Sequence, residues 1–291
     1  MEYAVEVQGL TKRYPGFTLD HVSFTVPSGS IVGFIGENGA GKSTTMKAVL
    51  NLIRRDEGSV RLLGREDGAE YPEIKEQIGV VFDESYFPDN LKIRDVDRIM
   101  RSIFRSWESG KFLDYCRRFG LPEKKIVKTF SRGMKMKLSI AAALSHQTKL
   151  LIMDEATSGL DPVVRNEILD LFQEFVQEED HTVFLSSHIT SDIERIADYI
   201  LLIHKGRILL FEDKDTLLYE YGVARCSREQ AQNLDKALIV GVRRSQFETE
   251  VLVRNRKAVK EQPDLVVDRA SLEDILLFTV KNGLEEEAGQ R

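Results

Sequence analysis

The sequence predicts an α/β fold in which a mostly parallel sheet is covered by helices. Short apolar strands alternate with segments of helical spacing, and the predicted strands are 30–36, 78–82, 149–153 and 182–185. This alternation is typical of parallel sheets, because a parallel connection needs a crossover long enough to hold a helix. A glycine-rich turn joins the first strand directly to a helical segment, and two carboxylates follow the third strand.

An antiparallel β subdomain is predicted at the start of the chain. Apolar and polar residues alternate in 3–7 and again in 22–26, which indicates two strands with one buried face each. Pro15 and Gly16 lie between them and are typical turn residues. The chain is therefore expected to open with paired antiparallel strands.

An inserted helical subdomain is predicted at about 84–145, where the strand signals disappear. Six apolar residues fall at helical spacing on one face there, namely Val96, Ile99, Met100, Ile103, Phe104 and Trp107. Two interpretations of this stripe stay open, an ordinary core face and a groove that binds a partner.

The remainder of the chain predicts a second, smaller domain. A hairpin within 200–211 turns at Lys205 and Gly206 and closes the sheet, so that the first domain is expected to span 1–213. Residues 214–291 are predicted to form a small α+β accessory domain. Its predicted elements are a helix near 228–235, strands at 237–242, 247–253 and 265–267, and a final helix capped at Ser271.

Composition limits the classes of function. The chain has 41 basic and 47 acidic residues among 291, and its net charge of −6 argues against binding nucleic acid or anionic lipid through bulk charge. Cys116 and Cys226 are too few for a disulfide framework or a thiolate metal site, which fits a reducing cytoplasmic location. No secretory signal is expected at the N-terminus, and no apolar run approaches the roughly 18 residues that span a bilayer.

The segment from Gly36 to Ser43 predicts a phosphate-binding loop. Its sequence fits G-x-x-x-x-G-K-[ST], and it lies between a buried strand and a helix, as this mechanism requires. The glycines allow backbone N–H groups to surround a phosphate at a helix N-terminus. Lys42 would then neutralise the β and γ oxygens of ATP, and the hydroxyl of Ser43 would bind Mg²⁺.

Two adjacent carboxylates predict the hydrolytic part of the same site. Asp154 ends a buried strand and is expected to hold Mg²⁺, directly or through water. Glu155 follows it and is placed to act as general base towards the attacking water. Together with the phosphate loop, this pair predicts a P-loop NTPase.

Further features resemble the ATP-binding subunits of ABC transporters, over residues 3 to about 213. The segment from Phe130 to Lys135 resembles the signature motif of that family, and 158–161 looks like its D-loop. His188 looks like the switch histidine, Tyr14 matches the aromatic residue that stacks on adenine, and the order of all these motifs is that of the family.

The resemblance implies a head-to-tail dimer of two ATPase chains, in which the signature of one chain contacts the ATP bound by the other. It implies catalytic roles for Glu155, His188 and Lys42. The residues that would bind the nucleotide are Tyr14, Gly36, Asn38, Gly39, Ala40, Gly41, Lys42, Ser43, Thr44, Ser131, Gly133 and Asp161. Ser43, Asp154 and Asp83 would be the metal ligands.

Two positions depart from the family pattern. Asp83 stands where the family usually has glutamine; its carboxylate can still offer an oxygen to Mg²⁺ or water, but on a shorter side chain. Arg132 replaces the first glycine of the signature. It is either a solvated side chain or a charge that reaches the partner chain's triphosphate.

The resemblance favours an ATPase subunit that powers a membrane transporter and is held by a membrane subunit at the cytoplasmic face. An exporter of a drug, a peptide or another amphipathic substrate is the narrower expectation, by similarity to bacitracin-type exporters. Alternatives are a soluble ABC ATPase acting on ribosomes or DNA, and a regulator that does not hydrolyse ATP. The membrane subunit would dock in a groove bordered by 83–86 and the helix that starts near Asp95, with Phe87 as an apolar contact.

Overall fold

The computed structural model describes residues 2–66, 71–83, 87–244, 248–260 and 265–289, with side chains for all of these except 71, 72 and 281–289. The strands are β1 (Tyr3–Tyr14), β2 (Phe17–Pro27), β3 (Ile31–Ile35), β4 (Glu57–Leu62), β5 (Arg65–Glu66), β6 (Ile78–Val81), β7 (Leu150–Asp154), β8 (Thr182–Ser187), β9 (Tyr199–His204), β10 (Arg207–Asp213), β11 (Gly222–Cys226), β12 (Ile239–Arg244), β13 (Thr249–Val253) and β14 (Val266–Arg269). The helices are α1 (Lys42–Val49), α2 (Tyr71–Lys75), α3 (Ile93–Ile103), α4 (Ser109–Arg118), α5 (Arg132–Ala143), α6 (Pro162–Phe175), α7 (Thr190–Ile196), α8 (Lys214–Glu220), α9 (Arg228–Asn233), α10 (Arg256–Lys260) and α11 (Leu272–Gly289).

Two sheets confirm the predicted α/β core with its antiparallel β subdomain. The central sheet has the order β10-β9-β3-β8-β7-β6, and its strands are parallel except for β10, which pairs with β9 as a hairpin. The first sheet is antiparallel, with the order β2-β1-β4-β5. The rings of Phe24, Phe34 and Phe184 pack against one another between the two sheets, with centroids 5.4–6.1 Å apart. Burial of these rings holds the two sheets together.

The helical segment between β6 and β7 has a core of its own, to which α3, α4 and α5 contribute. The predicted apolar stripe is only partly a core face, because Val96 is buried whereas Ile99 and Ile103 are 40% and 59% exposed. The expectation that helical spacing continues to Trp107 is wrong, since α3 ends at Ile103. The carboxylate of Glu76 accepts hydrogen bonds from the backbone N–H groups of residues 105 and 106 at 3.0 and 3.2 Å. These N–H groups are therefore not available to continue α3.

A third sheet, with the order β12-β13-β11-β14, follows β10 and is antiparallel. Its strand β11 was not expected from the sequence, although it pairs with both β13 and β14. Four of its five residues are buried, and glycine and alanine are among them, so the strand lacks the alternation that marks a half-buried strand. Helix α11 joins this sheet to the central one, because Leu272 and Phe278 are buried in the same core as Ile193 of α7.

In the part of the chain that the structure describes, no helix is long and apolar enough to cross a bilayer. Both cysteines are buried and carry free thiols.

Candidate active site

The phosphate-loop pattern forms a tight turn between β3 and α1. Gly36 and Gly41 are required for different steric reasons. A Cβ atom on Gly36 would lie 2.4 Å from the carbonyl oxygen of Ile203. Gly41 has a φ of +116°, and a Cβ atom there would lie 2.7 Å from Leu19. The loop is therefore shaped by its contacts with β2 and β9 as well as by its own sequence.

Lys42 is buried at the start of α1, and its ammonium group crosses the loop. Its Nζ donates to the carbonyl oxygens of Gly36 at 2.7 Å and Glu37 at 3.3 Å. It also lies 3.3 Å from Oε1 of Glu155. This last contact is a charge contact, because Oε1 makes no hydrogen bond with the described residues. The lysine thus connects the phosphate loop with the carboxylate that follows β7.

Asp154 and Glu155 are held by the end of the neighbouring strand β8. The hydroxyl of Ser186 donates to Oδ1 of Asp154 at 2.5 Å. The N–H of Glu155 lies 3.1 Å from that hydroxyl and 3.2 Å from the carbonyl oxygen of the same serine. Glu155 has a φ of +54°, an unfavourable conformation for a residue with a side chain. We infer that this turn directs its carboxylate away from Asp154 and towards Lys42.

His188 lies on the other side of the Glu155 carboxylate. Its Nδ1 is 2.5 Å from Oε2 of Glu155, and its backbone N–H donates to the same oxygen at 3.4 Å. The residues are 33 positions apart, and they meet because β7 and β8 are adjacent parallel strands. A carboxylate between an ammonium group and an imidazole can accept a proton and remain oriented while it does so.

A cleft of about 510 Å³ opens beside this constellation. Its lining residues are Gly16, Phe17, Glu37, Asn38, Gly39, Gly41, Lys42, Ser43, Thr44 and Glu155. Of the predicted nucleotide ligands, Gly36 and Ala40 are buried behind the loop, and Tyr14 is 42% exposed outside the lining. Phe17 and Glu37 were missed by the sequence analysis. Phe17 pairs with Tyr14 across the turn at Pro15 and Gly16, so the presence of a second aromatic residue beside that turn was the available signal.

The predicted signature and D-loop residues lie at helix N-termini and do not line this cleft. The hydroxyl of Ser131 caps α5 and accepts from the backbone N–H of Met134 at 3.2 Å. Asp161 caps α6 by accepting two backbone N–H groups, at 3.0 and 3.1 Å. The guanidinium of Arg132 lies against Gly159, where a Cβ atom would be 2.8 Å from its Nη1. Gly133 follows Arg132 in the first turn of α5.

An apolar groove of about 220 Å³ lies between the central sheet and the helical segment. Phe87, Met100 and Phe104 line one part of it, and His146 stacks on Phe104 with the ring centroids 4.1 Å apart. Burial lowers the pKa of His146, which favours its neutral form. Asp83 is exposed just after β6. The other predicted docking residues, Glu84, Ser85 and Tyr86, lie outside the described residues.

Comparisons with known proteins identify relatives of this chain. The family model described as ABC transporter matches residues 19–158. The bacitracin transport ATP-binding protein BcrA of Bacillus licheniformis is 37% identical over 212 residues, which cover 72% of this chain and 69% of that protein. The lantibiotic transport ATP-binding protein SrtF of Streptococcus pyogenes is 36% identical over 214 residues, covering 72% and 91%. A solved structure of the ATP binding subunit of an ABC transporter has a TM-score of 0.68 at 26% identity, over 74% of this chain and 92% of the other.

Proposed function

The chain belongs to the ABC transporter family of ATP-binding proteins, and from this premise we propose that its ATPase activity powers an exporter of drugs, peptides or other amphipathic molecules. The observation that carries the catalytic part is the contact of Glu155 with both Lys42 and His188 beside the phosphate loop. The relatives named for bacitracin and lantibiotic transport support the substrate class. These relatives give no support to a role on ribosomes or DNA.

The phosphate loop would bind ATP by backbone and side-chain charge. The N-terminus of α1 presents its free N–H groups and the positive end of its dipole towards the loop. Lys42 now donates to two loop carbonyls. We propose that the β and γ oxygens of ATP take over these contacts, since a charged acceptor binds an ammonium group more strongly than a carbonyl does.

Glu155 would act as the general base. A water molecule between its carboxylate and the γ-phosphorus would give up a proton to Glu155 as its oxygen bonds to phosphorus, and the bond from phosphorus to the bridging oxygen would break to release ADP. General-base catalysis of this kind contributes about 10²–10⁴-fold. His188 holds one carboxylate oxygen at 2.5 Å, which leaves Oε1 for the water. His188 is therefore proposed to orient the base.

The oxygen donors beside the loop fit Mg²⁺. Ser43 offers a hydroxyl at the start of α1, and Asp154 offers a buried carboxylate whose Oδ1 is held by Ser186. Mg²⁺ prefers one or two such oxygens together with water and substrate phosphates. When bound, it would neutralise charge on the β and γ phosphates. Asp83 stays a proposed third ligand.

A second ATPase chain would complete the site. Ser131, Gly133 and Asp161 do not line the cleft of their own chain. Ser131 and Gly133 lie at the N-terminus of α5, where the helix dipole favours an anion. We propose that all three residues contact ATP bound by the partner chain, and that Tyr14 contacts the adenine. Arg132 would also face the partner's triphosphate.

We also propose how the chain divides into domains and where it lies in the cell. Residues 1–213 would form the ATPase domain, and 214–291 an accessory domain packed on it through α11. The chain would lie at the cytoplasmic face of the membrane, held by an integral membrane subunit. A short helix of that subunit would bury apolar residues in the groove lined by Phe87, Met100 and Phe104.

Co-purification tests this proposal. A tagged chain is expected to bring down an integral membrane protein from detergent-solubilised membranes, and mass spectrometry identifies it. Phe87→Ala and Met100→Asp, two changes in the groove lining, should release that protein while ATP affinity stays intact. Leu277→Asp is the matched control, since Leu277 is exposed on a helix far from the groove in sequence. If both groove variants retain the membrane protein, the docking surface lies elsewhere; if the wild-type chain captures none, the transporter role loses its support.

A further inference from the structure

His204, the last residue of β9, is a buried histidine without a hydrogen bond to its ring. The residue is 8% exposed, and neither ring nitrogen has a hydrogen-bond partner among the residues that the structure describes. Buried polar side chains are nearly always hydrogen-bonded, so such a ring needs an explanation. Its Nδ1 lies 3.6 Å from Oε2 of Glu37, the residue that follows the first glycine of the phosphate loop.

The backbone on both sides of His204 is fixed against the phosphate loop. The N–H of Gly206 donates to the carbonyl oxygen of Ala40 at 2.8 Å. The carbonyl of Ile203 packs so closely on Gly36 that no Cβ atom could fit between them. The backbone that carries the imidazole is therefore fixed against the phosphate loop.

Glu37 places a negative charge in the lining of the proposed ATP cleft. Its side chain is 56% exposed, and no other cation pairs with its carboxylate among the described residues. A carboxylate free to turn into the cleft would repel the triphosphate, because like charges at a few ångströms raise the energy even where water screens them. A group that holds this carboxylate on the side of β9 would remove that repulsion.

We infer that His204 is a positioning residue for ATP binding, which holds the carboxylate of Glu37 away from the phosphates. An N–H at Nδ1 reaches hydrogen-bond distance of Oε2 by a movement of less than about 1 Å, since such bonds are about 2.9 Å long. The inference rests on the proposed phosphate site and adds to it a side chain that contacts no phosphate itself. It also gives the buried ring a partner.

A double-mutant cycle tests this role. His204→Ala should weaken ATP binding and raise KM for ATP by about three- to fivefold, with kcat changed less than about twofold, because the interaction concerns one partly exposed charge. His204→Gln keeps an N–H donor and should stay within about twofold of the wild type. In a Glu37→Gln background, His204→Ala should have no effect on KM, since the amide carries no charge to be held back. If His204→Ala does not fold, His204→Phe takes its place in the cycle, because phenylalanine keeps a buried ring but has no hydrogen-bond donor.

Two results would overturn the inference. If His204→Ala loses as much ATP affinity in the Glu37→Gln background as in the wild-type background, His204 acts through packing alone. An unchanged KM in His204→Ala would mean that Glu37 needs no positioning. Lys42→Ala, titrated with ATP in parallel, tests the proposed phosphate site separately. If Lys42→Ala weakens ATP binding while His204→Ala does not, only the positioning role of His204 is wrong. If Lys42→Ala binds ATP normally, both the phosphate site and the positioning role are wrong.

Discussion

His188 Nδ1 lies 2.5 Å from Oε2 of Glu155, and the other oxygen of that carboxylate lies 3.3 Å from Lys42 Nζ. Glu155 thus connects the loop that we propose to bind phosphate with the segment that follows β8. We expect ATP binding and the orientation of the base to be coupled, because Lys42 must exchange protein oxygens for phosphate oxygens when ATP enters.

Glu155→Gln should retain ATP binding and lower turnover by about 10²–10⁴-fold, since an amide cannot accept the proton of the attacking water. With hydrolysis blocked, ATP should hold two chains together. Phosphate release measures the first effect, and size-exclusion chromatography with and without ATP measures the second. Glu174→Gln is the control, because Glu174 pairs with Arg118 on the surface. Unchanged turnover in Glu155→Gln would refute the assignment of the base.

Lys42→Ala should weaken ATP binding, because the triphosphate loses the main side-chain countercharge of the loop. Titration calorimetry with ATP gives the affinity. Lys47→Ala, in the last turn of the same helix, is the matched control and should bind as the wild type does. Equal affinities of the Lys42 variant and the wild type would show that the phosphates bind elsewhere.

Leu272→Ala should lower the free energy of unfolding by about 2–5 kcal/mol, the usual range for a fully buried leucine. Leu272 is 0% exposed in the core shared by α7 and α11, and its N–H donates to Glu194 of α7 at 3.1 Å. Urea denaturation measures the change. Leu277→Ala on the same helix, where the side chain is 38% exposed, should cost much less. Equal losses would contradict the packing of α11 on α7.

Neither cysteine should react with iodoacetamide in the folded protein near neutral pH. Burial raises the pKa of the Cys116 thiol to about 12, and burial also raises the pKa of Cys226. The reactive thiolate of Cys116 should therefore be about one part in ten thousand at about pH 8. Mass spectrometry after a short pulse checks this, with urea-unfolded protein as the positive control. Rapid labelling of Cys116 in the native protein would mean that helices α3 and α4 open readily.

The sequence by itself determined the parts of this protein that depend on residues close together in the chain. Three such parts have a local sequence pattern that favours one backbone structure: the loop between β3 and α1, the strand that ends at Asp154, and the hairpin at Lys205 and Gly206. The structure has each of these elements where its pattern predicts it. The predicted α/β core followed from the same kind of signal, because buried parallel strands are continuously apolar.

Only the tertiary structure decided which distant residues meet. The contact between Glu155 and His188 depends on the pairing of β7 with β8, and that between Glu37 and His204 depends on the place of β9 beside β3. Helix α3 ends at Ile103 because Glu76, far away in sequence, takes the next N–H groups. Local periodicity carries no information about such partners. A hydrogen bond between distant residues depends on how their strands or helices pack together, and not on the neighbours of each residue in the sequence.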